Sequence, residues 1–566
     1  MSSNNSNNGW WTFHGDERHS GNVPGSTIDS SNAANLKTLY TLQLGGPIMS
    51  VPAVSNDHVY VGIANAVKKD GGSVPDGGFF HKISLATGTI THTFYWPTDR
   101  SEGDTHGFCG MGCTPAVSGG FVYFSAFDGK LYCLNESDLS RKWVINLRNP
   151  DPNHNQPINN DNGQAPKAEG WSSPLVVNNR VYVGLGEGEN PSLYAFIYCL
   201  DATSGDVIWI YCTNQFVKCQ PNQPNQLPAQ VLDGRTPDGY TVYHGFTVTR
   251  GCSVWTAIAY DADLNRLYAT TGNPAPVDNG LEGGSPGWSY GILSLDADSG
   301  AFKGFYQANP KSSYRVSDID VDFGGSPVVF EREGRKVVAA GCKNGGFFIV
   351  DADTMAPLNW RQMLPFYNNG DQIPTVDPHG PDTGTNPNPA LSNQESNVTP
   401  AENFYGTYST PAIYPDGKRI FIGIGGNNYH FIASGIDHTT TPFMRVMDWN
   451  TLKDVWELDD SDPRKYKVPS PPMYETAGEA ALSSPAVVND VVFCSTSKVA
   501  LYAFNAADGS LLWSDVLGMQ SGGFQGGYGY CIGPAVAGDY VVAGGLVFGR
   551  DGGILRIYGV KKGGQS

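Results

Sequence analysis

The sequence lacks several features that mark particular classes of protein. No stretch approaches the roughly 18 consecutive apolar residues of a membrane-spanning helix, so we expect no membrane span. No block of basic residues occurs, and the formal net charge of −18 argues against a nucleic acid as partner. The 10 cysteines form neither the paired C-x2-C pattern of a zinc site nor the C-x-x-C-H pattern of covalent haem.

Two cysteine pairs are close enough in sequence to form disulfides, namely Cys109 with Cys113 and Cys212 with Cys219. A disulfide in either place would imply an oxidising compartment. Free cysteines packed as small hydrophobic residues are the equal alternative. Residues 1–6 lack the apolar stretch of a signal peptide, which fits a cytoplasmic protein or a mature exported protein with an added Met. We predict a periplasmic or secreted protein, and a cytoplasmic location stays open.

Glycine, proline and aromatic residues are abundant instead, and they follow a repeat. The 566 residues include 70 Gly, 38 Pro and 12% aromatic residues, which argues against a disordered or helical chain. A phrase recurs seven times, in which an apolar strand runs into Asp or Asn, a turn and a strand that usually holds Trp. Eight strands of Pro-Ala-Val type open the repeats, at residues 51–54, 114–117, 173–176, 254–257, 326–329, 410–413, 484–487 and 533–536.

The repeat predicts an all-β fold, an eight-bladed β-propeller of four-stranded antiparallel blades. The eighth unit ends at residues 554–560 without a closing phrase, and residues 36–42 precede the first opening. We therefore expect this N-terminal strand to complete the last blade. Residues 1–566 would form a single domain, because cutting a propeller exposes strand edges. We expect a disordered tail at residues 1–9.

Chemistry-bearing residues cluster in the fourth and fifth repeats. Trp255 on an inner strand offers a flat apolar floor, and Asn273 at a strand end offers a carbonyl oxygen to a hard cation. Read alone, a core Trp and a turn Asn are the simpler interpretations. Lys343, between two inner strands, could bind an anion near the axis.

Acidic residues occur at two strand ends. Asp318, Asp320 and Asp322 alternate along an extended segment, so their side chains point the same way, and Glu187 and Glu189 form a second pair. Carboxylates packed together repel one another unless a cation or a shared proton intervenes. The pattern therefore indicates a metal site or a general base, with a solvated acidic loop as the alternative.

Taken in order, these motifs resemble those of the pyrroloquinoline quinone (PQQ)-dependent alcohol dehydrogenases, and most closely the polyvinyl alcohol dehydrogenase branch. The resemblance covers nearly the whole chain. The motifs that carry it are Trp11-Thr12-Phe13-His14-Gly15-Asp16, Thr-Gly-Asn-Pro at 271–274, Asp-x-Asp-Phe-Gly-x-Ser-Pro at 320–327 and Lys-x-Gly at 343–345.

The resemblance implies a role for each of these residues. Trp255 would be the floor under the cofactor ring, and Lys343 would contact the quinone oxygens. Asp320 would take the proton of the alcohol. Asn273, Glu189 or its neighbour Glu187, Asp320 and Asp322 would be the metal ligands, with calcium as the metal or a lanthanide in its place.

The implied activity is oxidation of a primary or secondary alcohol, small or polymeric, by hydride transfer to PQQ. Because no haem motif is present, electrons would leave to an external acceptor such as a cytochrome c. The sequence departs from the family at Cys109 and Cys113, which replace a pair of adjacent cysteines and a cofactor-binding Arg, and at Met49, which replaces a Glu. We expect both cysteines to lie beside the cofactor.

Two alternatives stay open at this point. The first is a propeller that has lost the quinone and serves as a binding or assembly scaffold, since a fold alone does not determine function. The second is an enzyme that uses Cys109 or Cys113 as nucleophile or copper ligand.

Overall fold

The regular secondary structure of this protein is almost entirely β-strand. The computed structural model describes residues 9–64, 77–97, 109–148, 169–186, 195–213, 217–219, 252–272, 291–308, 322–343, 345–363, 366–368, 371–373, 407–424, 444–457, 483–496, 500–516, 529–531, 533–547 and 553–560. Apart from strands, these ranges contain one 3₁₀ turn, Ala33–Asn35. Within them, no helix has the length and apolarity to cross a membrane.

The strands form eight antiparallel blades, which confirms the predicted eight-bladed β-propeller. The first strands of neighbouring blades contact one another and so line the central axis. In order from the axis outward, the first blade contains β2 (Ala53–Ser55), β3 (His58–Ile63), β4 (Gly77–Ser84) and β5 (Ile90–Pro97), and the second contains β6 (Ala116–Ser118), β7 (Phe121–Ser125), β8 (Lys130–Asn135) and β9 (Arg141–Asn146). The third blade contains β10 (Leu175–Val177), β11 (Arg180–Leu185), β12 (Phe196–Asp201), β13 (Val207–Cys212) and the added edge strand β14 (Val217–Cys219). The fourth blade contains β15 (Ala259–Asp261), β16 (Arg266–Thr270), β17 (Gly291–Asp296) and β18 (Phe302–Gln307).

The remaining blades repeat the arrangement. The fifth contains β19 (Val328–Arg332), β20 (Arg335–Gly341), β21 (Gly346–Asp351) and β22 (Pro357–Gln362), followed by a separate hairpin of β23 (Phe366–Asn368) and β24 (Asp371–Ile373). The sixth contains β25 (Ala412–Ile413), β26 (Arg419–Gly423) and β27 (Met444–Asp448), and the seventh β28 (Ala486–Val488), β29 (Val491–Ser495), β30 (Ala500–Asn505) and β31 (Leu511–Val516). The eighth contains β33 (Ala535–Ala537), β34 (Tyr540–Val547), β35 (Ile554–Val560) and β1 (Leu36–Gln43), with β32 (Gly529–Cys531) also paired to β34.

The N-terminal strand closes the ring as predicted. β1 runs antiparallel to β35, with Leu36 opposite Val560 and Gln43 opposite Ile554. The outer edge of the last blade is therefore paired by a segment from the other end of the chain. This pairing covers the outer edge of β35, which would otherwise present unpaired backbone groups.

The repeated Asp-turn-Trp phrase joins the second, third and sixth blades to the blades that follow them. The indole Nε1 of Trp143 in the second blade donates to the carbonyl of Ala202 in the third, at 3.2 Å. The turn Gly205 has φ +79°, and a Cβ on it would lie 2.9 Å from the Trp143 ring, so glycine leaves the space into which the indole docks. The same donor and distance recur for Trp209 on Ala297 and for Trp456 on Ala506.

Hydroxyl groups at the strand openings form a second set of links between blades. The Ser173 hydroxyl in the third blade accepts from the backbone N–H of Thr114 in the second, at 2.9 Å. Equivalent bonds join Ala257 to Ser326, Ser326 to Thr410, and Thr410 to Ser484. The Ser-Pro and Thr-Pro pairs at the openings therefore satisfy buried N–H groups that face the axis.

The segment from Trp10 to Gly21 runs past the innermost strands of six blades. The second residue of the innermost strand donates its N–H to this segment in six blades; the pairs are Val54 to Trp10, Val117 to Trp11, Tyr260 to Glu17, Val329 to Arg18, Ile413 to Ser20 and Val487 to Gly21. His14 and His19 are buried in it. His19 Nδ1 lies 2.8 Å from the carbonyl of Pro327, and burial lowers the pKa of His19 to about 3.

Candidate functional site

Aromatic residues and glycines occupy one structural position on five neighbouring blades. The residue four places before the innermost strand is Gly112 in the second blade, Trp171 in the third, Trp255 in the fourth, Gly324 in the fifth and Tyr408 in the sixth. Each glycine stands next to an aromatic residue of the following blade, since a Cβ on Gly112 would lie 3.0 Å from the Trp171 ring and one on Gly324 3.2 Å from the Tyr408 ring.

Trp255, Asp322 and Lys343 come together on the fourth and fifth blades, and we call these three residues the lysine site. The Lys343 Nζ lies 2.7 Å from Asp322 Oδ1, and the Trp255 Nε1 donates to Asp322 Oδ2 at 3.0 Å. The backbone N–H of Lys343 also donates to the Asp322 carbonyl, at 2.8 Å. A sequence separation of 21 residues is thus bridged by both backbone and side chain.

Burial makes the ion pair of the lysine site strong and costly to break. Asp322 is 2% exposed and Lys343 7% exposed. A charge-assisted hydrogen bond in such surroundings is shorter and stronger than a neutral one. Removing either partner would leave the other charge buried and uncompensated, which typically costs about 3–5 kcal/mol.

The Lys343 ammonium also faces two aromatic rings. Its Nζ lies 4.9 Å from the centroid of the Trp255 ring and 5.3 Å from that of Tyr408. The two rings are 6.4 Å apart and tilted by 58°. A flat indole face with a cation above it and a carboxylate at its edge is suited to a planar, anionic ligand.

Backbone of three strand ends converges beside the lysine site. A Cβ on Gly272 would lie 2.6 Å from Ser253 Oγ and 3.1 Å from Asp322 Oδ2, and a Cβ on Gly186 would lie 3.2 Å from Ser253 Cβ. The Ser253 hydroxyl is buried and has no hydrogen-bond partner among the described residues. The cradle at Gly272 and this unpaired oxygen fit a polar ligand or cation at this place.

Four predicted site residues lie outside the described residues: Glu187, Glu189, Asn273 and Asp320. Gly186 directly precedes Glu187, and Gly272 directly precedes Asn273. The described parts of the chain contain no group of three His, Cys, Asp or Glu side chains arranged around a metal position. The irregular segments at 220–251, 273–290, 374–406 and 458–482 also lie outside the described ranges.

Cys109 and Cys113 are buried, and no disulfide joins them. The Cys113 Sγ donates to the carbonyl of Ser125 in its own blade at 3.2 Å, and burial raises the pKa of Cys113 to about 11. In the pairing of β13 with β14, Cys212 lies opposite Val217 rather than Cys219. Of the two interpretations, the described structure agrees with cysteines packed as small buried residues, because Cys109, Cys113 and Cys212 are buried and not in a disulfide.

Sequence patterns predict the lysine site but not its two neighbours, Tyr408 and Ser253. Neither residue belongs to a recognisable motif, and a Tyr before Ser-Thr-Pro reads as ordinary core. Aligning the eight openings would have given the signal, because Trp171, Trp255 and Tyr408 then fall at the same place relative to the innermost strand.

Comparison with known proteins agrees with this geometry. Residues 159–365 match the PQQ family model described as glucose/ethanol/alcohol dehydrogenase, beta-propeller domain, and residues 447–563 match the model described as outer membrane protein assembly factor BamB. The first match includes the lysine site, whereas the second lies in the last three blades.

Curated relatives are similar at low identity. A quinohemoprotein alcohol dehydrogenase of Comamonas testosteroni is 24% identical over 86% of this chain and 66% of its own length. The dehydrogenase subunit of a quinone alcohol dehydrogenase of Gluconacetobacter polyoxogenes is 24% identical over 61% of this chain and 44% of its own. The chain therefore spans less than two thirds of the length of these relatives.

Solved structures share the fold. The crystal structure of the Comamonas testosteroni quinohemoprotein alcohol dehydrogenase superposes with a TM-score of 0.64, over 99% of this chain and 81% of that one, at 17% identity. A europium-containing methanol dehydrogenase superposes with a TM-score of 0.65 over 98% of both chains, at 15% identity. Residues 159–365 therefore match the PQQ β-propeller model, and the chain is similar to quinoprotein alcohol dehydrogenases in sequence and in fold.

Proposed function

We propose that this protein is a PQQ- and Ca²⁺-dependent dehydrogenase that oxidises a primary or secondary alcohol. The observation that carries the proposal is the lysine site, in which a buried Lys343–Asp322 pair lies at the face and edge of Trp255. A scaffold has no use for a buried ion pair against a half-buried indole, and such an arrangement costs desolvation free energy.

The residues of the lysine site fit a planar, anionic quinone. Trp255 would support the ring, and its position is held by the hydrogen bond from its indole to Asp322. Lys343 would contact the quinone oxygens as a cation. When bound, PQQ supplies the hydride acceptor, and the protein supplies orientation and electrostatic field.

Asp320 would be the base that holds the proton of the substrate hydroxyl. It precedes Asp322 by two residues, so an extended backbone would turn both side chains to the same side. Asp322 accepts from Lys343 and Trp255, which gives it a positioning task. The Asp320 carboxylate would thus accept the substrate proton, and the Asp322 carboxylate would hold the Lys343 ammonium.

Calcium would be held beside these residues by Asn273 and by Glu189 or Glu187, with Asp320 as a further ligand. Their described neighbours in sequence, Gly272 and Gly186, both approach Ser253, which supports a common binding point. Asp322 stays a candidate ligand, and a lanthanide in place of calcium remains part of the prediction. Calorimetric Ca²⁺ titration of Glu189→Gln and Glu187→Gln should identify the carboxylate ligand by its larger loss of affinity.

Partners follow from the same reasoning. The substrate would be a small or polymeric alcohol, and electrons would pass to an external acceptor such as a cytochrome c, in the periplasm or outside the cell. The relatives agree with this scheme, since they include a quinohemoprotein alcohol dehydrogenase and a protein named lupanine 17-hydroxylase (cytochrome c).

Chemistry at Cys109 or Cys113 has little support. A buried Cys113 thiol with a raised pKa, bonded to Ser125, is protonated at neutral pH and therefore a poor nucleophile. Cys113→Ala should therefore keep its alcohol turnover, which steady-state kinetics of the variant would check.

The test is direct. Pure protein incubated with PQQ and Ca²⁺ should show bound-quinone absorbance and alcohol-dependent reduction of an acceptor dye. Asp320→Asn should bind PQQ and lose turnover, because it removes the base and leaves the ring contacts. Asp298→Asn, the same change at an exposed carboxylate, serves as the control and should remain active. Absence of both quinone binding and dye reduction in the unmodified protein would refute the proposal.

A further inference from the structure

Tyr408 reaches the lysine site from the sixth blade. Its preceding residue, Thr407, donates its backbone N–H to the carbonyl of Cys342 at 3.3 Å, next to Lys343 in the chain. The Thr407 hydroxyl donates to the carbonyl of Gly423 at 2.6 Å and accepts from the N–H of Ser409. The backbone that carries Tyr408 is therefore fastened both to its own blade and to the turn that carries Lys343.

Gly324 creates the space for the Tyr408 ring. A Cβ on Gly324 would lie 2.5 Å from the Thr407 carbonyl oxygen, 2.9 Å from Tyr408 Cα and 3.2 Å from its Cδ1. Any larger residue in the fifth blade would push the sixth-blade segment away. Because Gly324 has no side chain, the rings of Trp255 and Tyr408 approach to 6.4 Å across an intervening blade.

The two rings and one carboxylate enclose the Lys343 ammonium. The carboxylate of Asp322 takes one side at 2.7 Å, and the ring centroids of Trp255 and Tyr408 lie 4.9 and 5.3 Å from Nζ. An ammonium ion is attracted to the faces of aromatic rings, and the attraction grows when water is excluded. The long, flexible lysine side chain would otherwise have many rotamers available.

We propose that Tyr408 is a positioning residue for Lys343: its ring, together with that of Trp255, holds the ammonium where it meets the oxygens of PQQ. This inference rests on the proposed function for the identity of the ligand. Tyr408 acts through Lys343, and it is the ring face rather than the phenol hydroxyl that acts.

The test combines PQQ affinity with a double-mutant cycle. Affinity is measured by quenching of tryptophan fluorescence in the presence of Ca²⁺, for the unmodified protein, Tyr408→Phe, Tyr408→Ala, Lys343→Ala and the Tyr408→Ala/Lys343→Ala double variant. We expect Tyr408→Ala to bind PQQ about 2- to 30-fold more weakly, the range of a cation–π contact, and Tyr408→Phe to bind within about twofold. In the Lys343→Ala background, Tyr408→Ala should have little further effect.

Tyr414→Ala is the matched control. Tyr414 lies in the same blade under another cation, with the guanidinium carbon of Arg419 3.6 Å from its ring centroid. Its loss should lower stability without changing PQQ affinity. The proposal would be overturned if Tyr408→Ala weakened PQQ binding equally in the presence and absence of Lys343. It would also be overturned if Tyr408→Phe bound PQQ as weakly as Tyr408→Ala.

The same cycle, measured on urea unfolding without PQQ, separates this inference from the proposed function. If the unmodified protein binds no PQQ, the proposed function fails, and the enclosure of Lys343 is judged by unfolding alone. Non-additive shifts of the urea midpoint for the two single variants would then support a direct contact between Tyr408 and Lys343, and additive shifts would refute it.

Discussion

Trp171 and Trp255 occupy the same position on adjacent blades, yet their surroundings differ. Both indoles donate to a carboxylate, Trp171 to Glu169 and Trp255 to Asp322. Glu169 lies two residues before Trp171 in the same blade, whereas Asp322 comes from the blade that follows Trp255. Phe127 packs edge-on against Trp171, with the two ring centroids 4.5 Å apart. Lys343 instead lies over the face of Trp255, with its Nζ 4.9 Å from the ring centroid.

The difference shows that the repeat fixes the position of each tryptophan, whereas the charged groups around Trp255 come from the neighbouring blade. An aromatic edge against Trp171 is ordinary core packing. A cation and a carboxylate brought to Trp255 from another blade form a site for a ligand of opposite charge. The predictions below separate these two tryptophans by experiment.

Breaking the ion pair should have the largest effect. Lys343→Met leaves the Asp322 carboxylate buried and unpaired, so we expect the free energy of unfolding to fall by about 3–5 kcal/mol in urea denaturation. Asp322→Asn/Lys343→Met should recover part of this loss, because no charge is then buried. Lys303→Met, which breaks the more exposed 3.6 Å pair with Asp296, should cost about 1 kcal/mol or less. Equal losses at Lys343 and Lys303 would contradict the buried pair.

Removing each indole should separate binding from packing. Trp255→Ala should weaken PQQ binding about 10- to 100-fold, since stacking of a planar ring on an aromatic side chain contributes about 1–3 kcal/mol. Trp171→Ala should lower stability through lost contact with Phe127 and leave affinity within about threefold. The measurement is fluorescence quenching at fixed Ca²⁺, and equal losses of affinity would remove the distinction.

Filling the two glycine gaps should sharpen the comparison. Gly324→Ala would meet backbone atoms of Thr407 and Tyr408, whereas Gly112→Ala would meet only side-chain atoms of Phe127 and Trp171. We expect about 2–3 kcal/mol of destabilisation for Gly324→Ala and about 1 kcal/mol for Gly112→Ala, the two ends of the range for overpacking. Only Gly324→Ala should weaken PQQ binding. A larger loss of stability for Gly112→Ala than for Gly324→Ala in thermal unfolding would show that the segment of Thr407 and Tyr408 shifts easily to admit a methyl group.

Buried His19 in the axial segment should make the free energy of unfolding depend on pH. The pKa of buried His19 is about 3 in the folded state, below the ordinary value, so the unfolded state binds more protons between about pH 3 and 6.5. The contribution of His19 to stability should therefore be complete only well above pH 6.5 and should fall by about 1 kcal/mol from pH 6.5 to 5.5. His19→Asn keeps a donor for Pro327 and should reduce this dependence in urea titrations at the two pH values. An unchanged pH dependence would mean that other groups cause it.

Most of the fold can be predicted from the sequence because its signals are local. Strand alternation, Asp turns and Pro-Ala-Val openings recur in each blade, and the unmatched opening identifies the N-terminal strand that pairs as β1 with β35. The axial path of residues 10–21 cannot be predicted in this way. Its contacts join Trp10 to Val54 and Gly21 to Val487, so they depend on the ring being closed.

The candidate site follows the same rule. Trp255, Asp322 and Lys343 are recognisable from the resemblance and do meet in the structure. Tyr408 and Gly324 cannot be predicted in this way, because their role depends on a contact between the fifth and sixth blades. The spacing of residues within one repeat carries no information about such a contact. Asn273, Glu187, Glu189 and Asp320 keep their predicted roles, and these await experiment.

The most direct measurement is a PQQ titration in the presence of Ca²⁺, followed by tryptophan fluorescence, for the unmodified protein, Trp255→Ala and Trp171→Ala. Saturable binding that Trp255→Ala weakens at least tenfold and Trp171→Ala leaves nearly unchanged is the predicted result. No saturable binding to the unmodified protein, or the same loss in both variants, would contradict a quinone site above Trp255.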